Sequence, residues 1–440
     1  MRRMICLLSV LTISLAMISA GGAEMLNPEQ MPETEGLPEL MRFADGREVK
    51  TPEDWEQRSE ELLTLYSEYM YGYMPDRAQE SVTWELEAST EPAGTLLKIT
   101  VQAENRNASF SVLAGIPSGE KPAGGFPFYM EYWPWHYQNW FTREWVNDFS
   151  ENCRYAMSRG YAGIQYDCGQ VAQDNNTYTG AFYTLYPYNR EEPAEQRGTL
   201  LAWAWGVSKV IDALEAGAGE ALGIDPGKAL VSGVSRYGKS AAVAGAYDSR
   251  IRVTIPSCSG AGGIAVYRTD NHGKAYDLSG VGGPAEWIND SINEPFSNLQ
   301  GGEGYWFCGN FRRFSSVRQL PVDQHMLCAL AAGPDRHLIV VTGITSEGWN
   351  NTEGQCLAWT ASQPVWDLLG IRDQNNMIIH LDGHAVLRSD MEMILDYCDV
   401  HLRGVSPENI RSDLSRMKGN LFLKDNRDRL DRLFAPYLGE

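Results

Sequence analysis

The chain has 440 residues and a formal net charge of −20, and 43% of its residues are hydrophobic while 21% are charged. These proportions are ordinary for a globular protein that buries a large core, and the length allows one long α/β domain or two or three smaller ones. An acidic surface repels nucleic acid and anionic membranes, so neither is expected as a partner.

Residues 1–23 have the pattern of a secretory signal peptide. Arg2 and Arg3 precede an almost wholly apolar stretch at 4–18, and small residues follow at 19–23. We expect this segment to be cleaved and the protein to be secreted or periplasmic, with the mature chain comprising residues 24–440. No other apolar run is long enough to span a bilayer, so no membrane contact is expected after cleavage.

The rest of the chain predicts an α/β fold. A helix is expected after Thr51, followed by antiparallel strands at 81–86, 95–101 and 108–116. Predicted helices at 151–159, 200–216, 240–247, 355–369 and 391–402 then alternate with predicted strands at 162–166, 229–233, 251–255, 337–343 and 377–381. This alternation is typical of a mainly parallel sheet with helices on both faces, and such sheets carry their sites at the carboxyl ends of the strands.

The segment Gly-Val-Ser-Arg-Tyr-Gly-Lys-Ser at 233–240 has two interpretations. As G-x-x-x-x-G-K-S it matches a phosphate-binding loop, with Lys239 on the phosphates and Ser240 on magnesium. As a strand, a sharp turn and a helix, it matches a nucleophile elbow that exposes Ser235, one residue longer than the usual G-x-S-x-G. An exported protein meets little nucleoside triphosphate, which favours the elbow.

Two later strand ends supply the partners that a nucleophilic serine needs. Glu347 follows the predicted strand at 337–343, and His384 follows the one at 377–381. The order serine, acid, histidine is that of the α/β-hydrolases, in which histidine takes the serine proton and the acid fixes the imidazole. Asp382 is a poorer candidate for the acid because it is only two residues from His384. His325, just before a predicted helix, is interpreted as structural.

Several motifs of the chain form a recognisable set. They are Gly-Val-Ser-Arg-Tyr-Gly-Lys at 233–239, Ala-Trp-Ala-Trp-Gly at 202–206, Ser-Gly-Ala-Gly-Gly at 259–263, Tyr-Trp-Phe at 305–307, Leu-Pro-Val-Asp-Gln-His at 320–325, Trp349, and Gly383-His384. Together these motifs resemble the glucuronoyl esterases, carbohydrate esterase family 15. The resemblance implies a single α/β-hydrolase domain over 24–440, a three-layer sandwich with a mainly parallel central sheet. It also implies a carboxylic ester hydrolase without metal or cofactor, which we expect to be a monomer.

The implied substrate is the ester between 4-O-methyl-D-glucuronic acid of glucuronoxylan and lignin alcohols, cleaved through an acyl-enzyme on Ser235. In this interpretation His384 is the general base and then acid, and Arg236 assists the oxyanion. Lys239 and Glu303 would hydrogen-bond the sugar hydroxyls, and Trp349 would pack on the substrate.

The chain departs from the family pattern at Cys258, where many members carry a glutamate, so the triad has to rely on Glu347. Val234 and Ala385 stand beside the serine and the histidine, where fungal members have bridging cysteines; this indicates a bacterial-type member. Eight cysteines, with Cys6 in the leader, leave an odd number, so at least one thiol is unpaired.

Three alternatives stay open. The protein could be a xylan acetyl or feruloyl esterase, a catalytically impaired carbohydrate-binding relative that lost activity with the Cys258 substitution, or a phosphate-loop NTPase. A further feature has two interpretations: Trp133, Trp135 and Trp140 could form an aromatic wall beside the pocket or pack in the core.

Overall fold

The computed structural model describes residues 25–438 except 140, 141, 193, 195, 270, 271 and 346. The predicted signal peptide and Trp140 lie outside the described residues. No helix in the described ranges is long and apolar enough to cross a membrane.

A nine-stranded sheet forms the centre of the fold, with strand order β1-β2-β3-β7-β4-β8-β9-β12-β13. The strands of the described residues are β1 Glu80–Thr90, β2 Ala93–Ala103, β3 Arg106–Gly115, β4 Phe126–Tyr132, β5 His136–Gln138, β6 Trp145–Asn147, β7 Ala162–Tyr166, β8 Ile224–Val234, β9 Ile251–Ser257, β10 Ala275–Tyr276, β11 Trp287–Ile288, β12 His337–Gly343 and β13 Asn375–His380. Strands β1 to β3 pair antiparallel, as does β3 with β7. From β7 to β13 the large sheet is parallel, and β5–β6 and β10–β11 form separate hairpins.

Helices cover both faces of this sheet. The α-helices of the described residues are α1 Pro52–Tyr66, α2 Glu151–Ser158, α3 Ala181–Leu185, α4 Thr199–Ala213, α5 Gly219–Leu222, α6 Arg236–Tyr247, α7 Phe296–Gln300, α8 Gln324–Leu330, α9 Thr352–Leu368, α10 Arg388–Arg403, α11 Asn420–Asp425 and α12 Arg427–Leu438. Residues of α4, α6, α8 and α9 join one hydrophobic cluster, whereas residues of α2 and α10 join a second. Neighbouring residues of β4 alternate between the two clusters, because successive side chains of a strand point to opposite faces.

The predicted α/β-hydrolase architecture, a three-layer sandwich around a mainly parallel sheet, is confirmed. The helix after Thr51 begins where predicted, with a capping box between Thr51 and Asp54. The predicted helix at 240–247 begins earlier, at Arg236, directly after Ser235. The prediction also missed β4, because a strand that is buried along its whole length lacks the alternation that marks a half-buried strand.

Candidate active site

Ser235 lies at the turn between β8 and α6 in a strained backbone conformation, with φ 62° and ψ −127°. Its N–H donates to the carbonyl of Ser257 over 2.9 Å, which ties the turn to the end of β9. The flanking glycines allow the helix to approach the strand this closely. A Cβ atom on Gly233 would lie 2.4 Å from the carbonyl oxygen of Tyr237, and one on Gly238 would lie 2.6 Å from that of Ser257. This is the geometry of a nucleophile elbow.

The phosphate-loop interpretation does not fit this turn, because neither of its ligand residues is available. Lys239 is only 2% exposed and its Nζ is engaged by protein oxygens. Ser240 is fully buried, with its Oγ 3.0 Å from both the hydroxyl of Tyr132 and the carbonyl oxygen of Leu200.

Glu347 and His384 meet at the carboxyl ends of β12 and β13, as predicted. The His384 Nδ1 atom is 2.9 Å from both carboxylate oxygens of Glu347. Glu347 is 1% exposed, whereas the His384 side chain is 46% exposed. With Nδ1–H donating to the carboxylate, Nε2 is left as the acceptor that a general base requires.

Asn350 contacts both members of this pair, although no sequence pattern indicated its role. Its side-chain amide donates to Glu347 Oε2 and lies 3.1 Å from His384 Nδ1. Among the described residues no hydrogen bond joins Ser235 Oγ to His384; in substrate-free enzymes this bond is often long and tightens only with substrate.

A second histidine, His380, fixes the turn that carries His384. Its Nδ1 is 2.9 Å from Asp390 Oδ2 and its Nε2 is 2.9 Å from the carbonyl oxygen of Gly383. Burial lowers the pKa of His380, but Asp390 outweighs burial and raises it. Both partners are acceptors, so the protonated imidazole can donate from both ring nitrogens and hold the turn from two sides.

Cys258 follows β9 and points toward Glu347. The residue is fully buried, has a left-handed backbone with φ 44°, and places its Sγ 4.0 Å from the carbonyl oxygen of Gly383. Burial and the neighbouring carboxylate of Glu347 raise the pKa of the thiol far above its usual value. A neutral thiol cannot replace the glutamate that many family members carry here. The acid that contacts His384 is Glu347, while Asp382 accepts the N–H of Gly383 within its own turn.

Arg236, the first residue of α6, is held by a carboxylate that the sequence did not reveal. Its Nη1 donates to Asp174 Oδ2 over 2.6 Å, and its guanidinium carbon lies 5.3 Å from the ring centroid of Trp306. Asp174 Oδ1 also accepts from the Tyr305 hydroxyl over 2.9 Å and from Trp306 Nε1 over 2.8 Å. Partial burial lowers the pKa of Arg236, but Asp174 more than offsets this and raises it. The guanidinium is thereby fixed beside Ser235 as a cation.

Lys239 lies beneath the elbow, where its ammonium has three oxygen partners. The Nζ atom donates to the carbonyls of Ser259 and Ala261 over 2.8 and 2.6 Å, and to Glu294 Oε2 over 2.7 Å. The carboxylate beside Lys239 is therefore Glu294. Glu303, predicted to act with Lys239, shares no hydrogen bond with it in the described part of the chain, and Glu303 Oε2 is a buried atom without a partner.

Trp349 and Gly260 lie between the Lys239–Glu294 pair and the Glu347–His384 pair. Trp349 is 46% exposed, and its carbonyl accepts the N–H of Glu294 over 2.9 Å. Gly260 has φ +61°, and a Cβ atom there would lie 3.2 Å from Asn350 Oδ1, 3.2 Å from Glu294 Oε2 and 3.3 Å from Lys239 Nζ. Asn350, which touches His384, and the Lys239–Glu294 pair thus surround the same glycine.

Within the tryptophan-rich segment, Trp135 follows the core-packing interpretation. Trp135 is half-buried and packs against the hydrophobic cluster that includes Val234 and Val386, the neighbours of the serine and histidine turns. Trp133 makes an edge contact with Tyr137, with ring centroids 5.4 Å apart. Its part in binding stays a prediction.

His325, interpreted as structural, is buried in α8 with its Nε2 3.0 Å from the carbonyl oxygen of Pro38.

Comparison with known proteins gives a consistent result. The family model described as "Glucuronyl esterase, fungi" matches residues 99–370. A multidomain esterase of Ruminococcus flavefaciens is 38% identical over 416 residues, covering 92% of this chain and 51% of that protein. A 4-O-methyl-glucuronoyl methylesterase of Cerrena unicolor is 30% identical over 353 residues, covering 79% of this chain and 65% of that protein. The chain thus spans about half the length of the first relative and just under two thirds of the length of the second.

Solved structures agree with these relatives. A carbohydrate esterase family 15 glucuronoyl esterase from Caldicellulosiruptor kristjansonii is 39% identical with a TM-score of 0.74, covering 87% of this chain and 95% of that one. The catalytic domain of a glucuronoyl esterase from Hypocrea jecorina is 27% identical with a TM-score of 0.65, covering 89% of this chain and 96% of that one. Identity to these two bacterial proteins exceeds identity to the two fungal ones.

Proposed function

This chain belongs to the glucuronoyl esterase family, and on that premise we propose that it is a serine esterase acting on esters of 4-O-methyl-D-glucuronic acid. The natural bond is the ester between this acid, carried by glucuronoxylan, and a lignin alcohol, so the protein serves lignocellulose degradation. The observation that carries the proposal is the pairing of His384 with the buried Glu347 at the strand ends beside the elbow of Ser235.

The reaction proceeds through an acyl-enzyme. His384 Nε2 takes the hydroxyl proton of Ser235, whose Oγ attacks the carboxyl carbon of the ester. The oxyanion is met by the Arg236 guanidinium and by backbone N–H groups at the start of α6, which have no partner inside the helix. His384 then returns the proton to the departing alcohol and activates the water that releases the uronic acid.

The sugar is held on the other side of the site. Because the Lys239 ammonium already has three acceptors, we infer that it acts mainly by orienting Glu294, whose carboxylate accepts hydroxyl protons of the uronic acid. The half-exposed Trp349 offers its ring face to the sugar. Glu303 is retained as a second polar group for substrate, since its buried Oε2 lacks a protein partner.

The surroundings of the reaction follow from the same proposal. We propose that residues 1–23 direct export, that residues 24–440 form one catalytic domain, and that this domain acts as a monomer on a polysaccharide outside the cell. No cofactor is required for the steps above, because the chain supplies the nucleophile, the base and the oxyanion partner.

The test is hydrolysis of benzyl glucuronate ester by the purified mature protein, run beside Ser235→Ala and with an acetylated xylan oligosaccharide as a second substrate. We expect release of glucuronic acid by the wild type and none by the serine variant. Release of acetate without glucuronic acid would identify an acetyl esterase, and sugar binding without turnover would identify an impaired relative. Either result would overturn the proposal.

A further inference from the structure

Cys258 contributes nothing to the reaction proposed above, yet its thiol is directed into the triad. One ligand atom from each of Cys258, Glu347 and His384 lies within 4.8 Å of the others. These atoms are a thiol sulfur, a carboxylate oxygen and an imidazole nitrogen. No other group of three or more histidine, cysteine or acidic residues in the described ranges meets the same condition.

This donor set suits a zinc-class ion. Zn²⁺ takes thiolate, imidazole and carboxylate ligands in tetrahedral sites, with bonds of about 2.0 to 2.3 Å, so its ligand atoms are about 3.4 to 3.8 Å apart. The three ligand atoms already lie within 4.8 Å of one another, and His384 Nδ1 lies 2.9 Å from the Glu347 oxygens. Small side-chain shifts that bring the sulfur closer and separate the nitrogen from the carboxylate would therefore reach that spacing. Mg²⁺ and Ca²⁺ prefer six or more oxygen ligands, and one carboxylate does not provide them.

The cluster is rigid on two sides and open on the third. Cys258 is fully buried and Glu347 is 1% exposed, so both are fixed by packing. The imidazole of His384 is 46% exposed, so an ion can approach from the substrate cleft and keep a water as its fourth ligand. Asn350, in contact with both Glu347 and His384, supplies an outer partner of the kind that orients ligands.

We propose that Cys258, Glu347 and His384 form a binding site for Zn²⁺ and similar divalent ions, and that occupancy switches the esterase off reversibly. On binding, the ion displaces the thiol proton of Cys258 to solvent, and the sulfur binds as thiolate. His384 binds through Nδ1 as a neutral ring, so its single ring proton moves to Nε2. One proton is released for each ion bound.

The inhibition follows from the position of that ring proton. With Nδ1 on the metal and a proton on Nε2, the imidazole has no lone pair left to accept the proton of Ser235. Glu347 is at the same time withdrawn from the imidazole to the ion. The binding step stands without any assumption about the substrate, whereas the inhibition rests on the proposed function.

Binding is tested with Co²⁺, a spectroscopic substitute for Zn²⁺, added to Ser235→Ala protein freed of reductant and chelator. We expect a sulfur-to-cobalt charge-transfer band in the near ultraviolet, lost on addition of Zn²⁺. The band should be absent when Cys258→Ala or Cys258→Ser is added to that background. Cys328→Ala removes another buried free thiol, in α8, and is the matched control that should keep the band. Absence of the band in Ser235→Ala, or its survival in both Cys258 variants, overturns the site.

Inhibition is tested on the active enzyme with benzyl glucuronate ester, each variant being compared with its own metal-free rate. We expect Zn²⁺ to inhibit, a chelator to restore the rate, and Mg²⁺ to have no effect. Mutation of a residue that only hydrogen-bonds a metal ligand costs about 10–100-fold in metal affinity. Because Cys258 would bind the ion directly, its loss should raise the inhibitory Zn²⁺ concentration at least tenfold. Equal inhibition of wild type and Cys258→Ser overturns the proposal. A cobalt band in Ser235→Ala together with no esterase activity in the wild-type protein would refute the proposed function and leave the metal site intact.

Discussion

Replacing Glu347 by glutamine is the sharpest test of the triad, because the structure predicts which way the new amide must turn. The side-chain amide of Asn350 donates to Glu347 Oε2, so the glutamine oxygen will face Asn350. The glutamine NH₂ group then faces His384 Nδ1, which in the wild type is 2.9 Å from both carboxylate oxygens. A donor at that place demands an unprotonated Nδ1, and the ring proton therefore moves to Nε2.

The expected loss is set by this change of tautomer. An imidazole with its proton on Nε2 cannot accept the proton of Ser235, and the carboxylate that stabilised the imidazolium is also gone. Loss of a triad orienting acid costs about 10² to 10⁴ in kcat, which corresponds to about 2.7–5.4 kcal/mol of transition-state stabilisation. KM should change little, because Glu347 is buried beneath the histidine and does not face the sugar.

The assay is steady-state hydrolysis of benzyl glucuronate ester by wild type, Glu347→Gln and Asp382→Asn, with thermal unfolding of each protein as a check on folding. Asp382→Asn removes an acid two residues from His384 and is the matched control, expected to retain most of the wild-type kcat. Adding Cys258→Glu to Glu347→Gln should recover part of the loss, because position 258 adjoins the same histidine. A Glu347→Gln enzyme with more than a tenth of the wild-type kcat would refute the assignment of the acid.

Three further predictions concern two carboxylates near the site and one histidine in the core. Asp174→Asn should lower kcat about tenfold with little change in KM, because the Arg236 guanidinium, proposed to stabilise the oxyanion, loses its carboxylate partner. An unchanged kcat would count against the proposal that Asp174 positions Arg236. Glu294→Gln should raise KM for the uronate ester about tenfold while the amide oxygen still accepts from Lys239, and equal KM values would exclude Glu294 from the sugar site. Burial lowers the pKa of His325 to about 4, so its stabilising effect is complete above pH 6.5 and is lost as the pH falls toward 4. Urea unfolding should show about 2 kcal/mol more loss between pH 7 and pH 5 in wild type than in His325→Gln, and parallel losses would contradict the neutral, buried ring.

Ser235, Glu347 and His384, which sequence reasoning identified, share one property: each lies in the turn that follows a strand of the parallel sheet. Parallel strands end at the same edge of a sheet, so Ser235, Glu347 and His384 could be brought together before any distance was known. Glu347 could be preferred to Asp382 for the same reason, since an acid at a neighbouring strand end reaches the imidazole from the side. Cys258, also at a strand end, was noticed as a departure from the family.

The residues that were missed lie in long loops where no periodic pattern fixes their position. Asp174 meets Arg236, and Glu294 meets Lys239, across separations of 62 and 55 residues. Only the folded arrangement of these loops makes the contacts, and the sequence near Asp174 and Glu294 is ordinary loop sequence. Glu303 was predicted from the family resemblance alone, and Glu294 has no local sequence pattern that would have indicated it.

The position of Gly260 has a consequence for how the proposed esterase can diversify. Asn350, Glu294 and Lys239 all come within 3.3 Å of where its side chain would begin, so a residue proposed to set the rate and the residues proposed to recognise the sugar share one point of contact. A substitution that reshapes the sugar pocket there will also displace the amide that orients the imidazole. New acyl specificities should therefore arise in evolution with slower turnover at first.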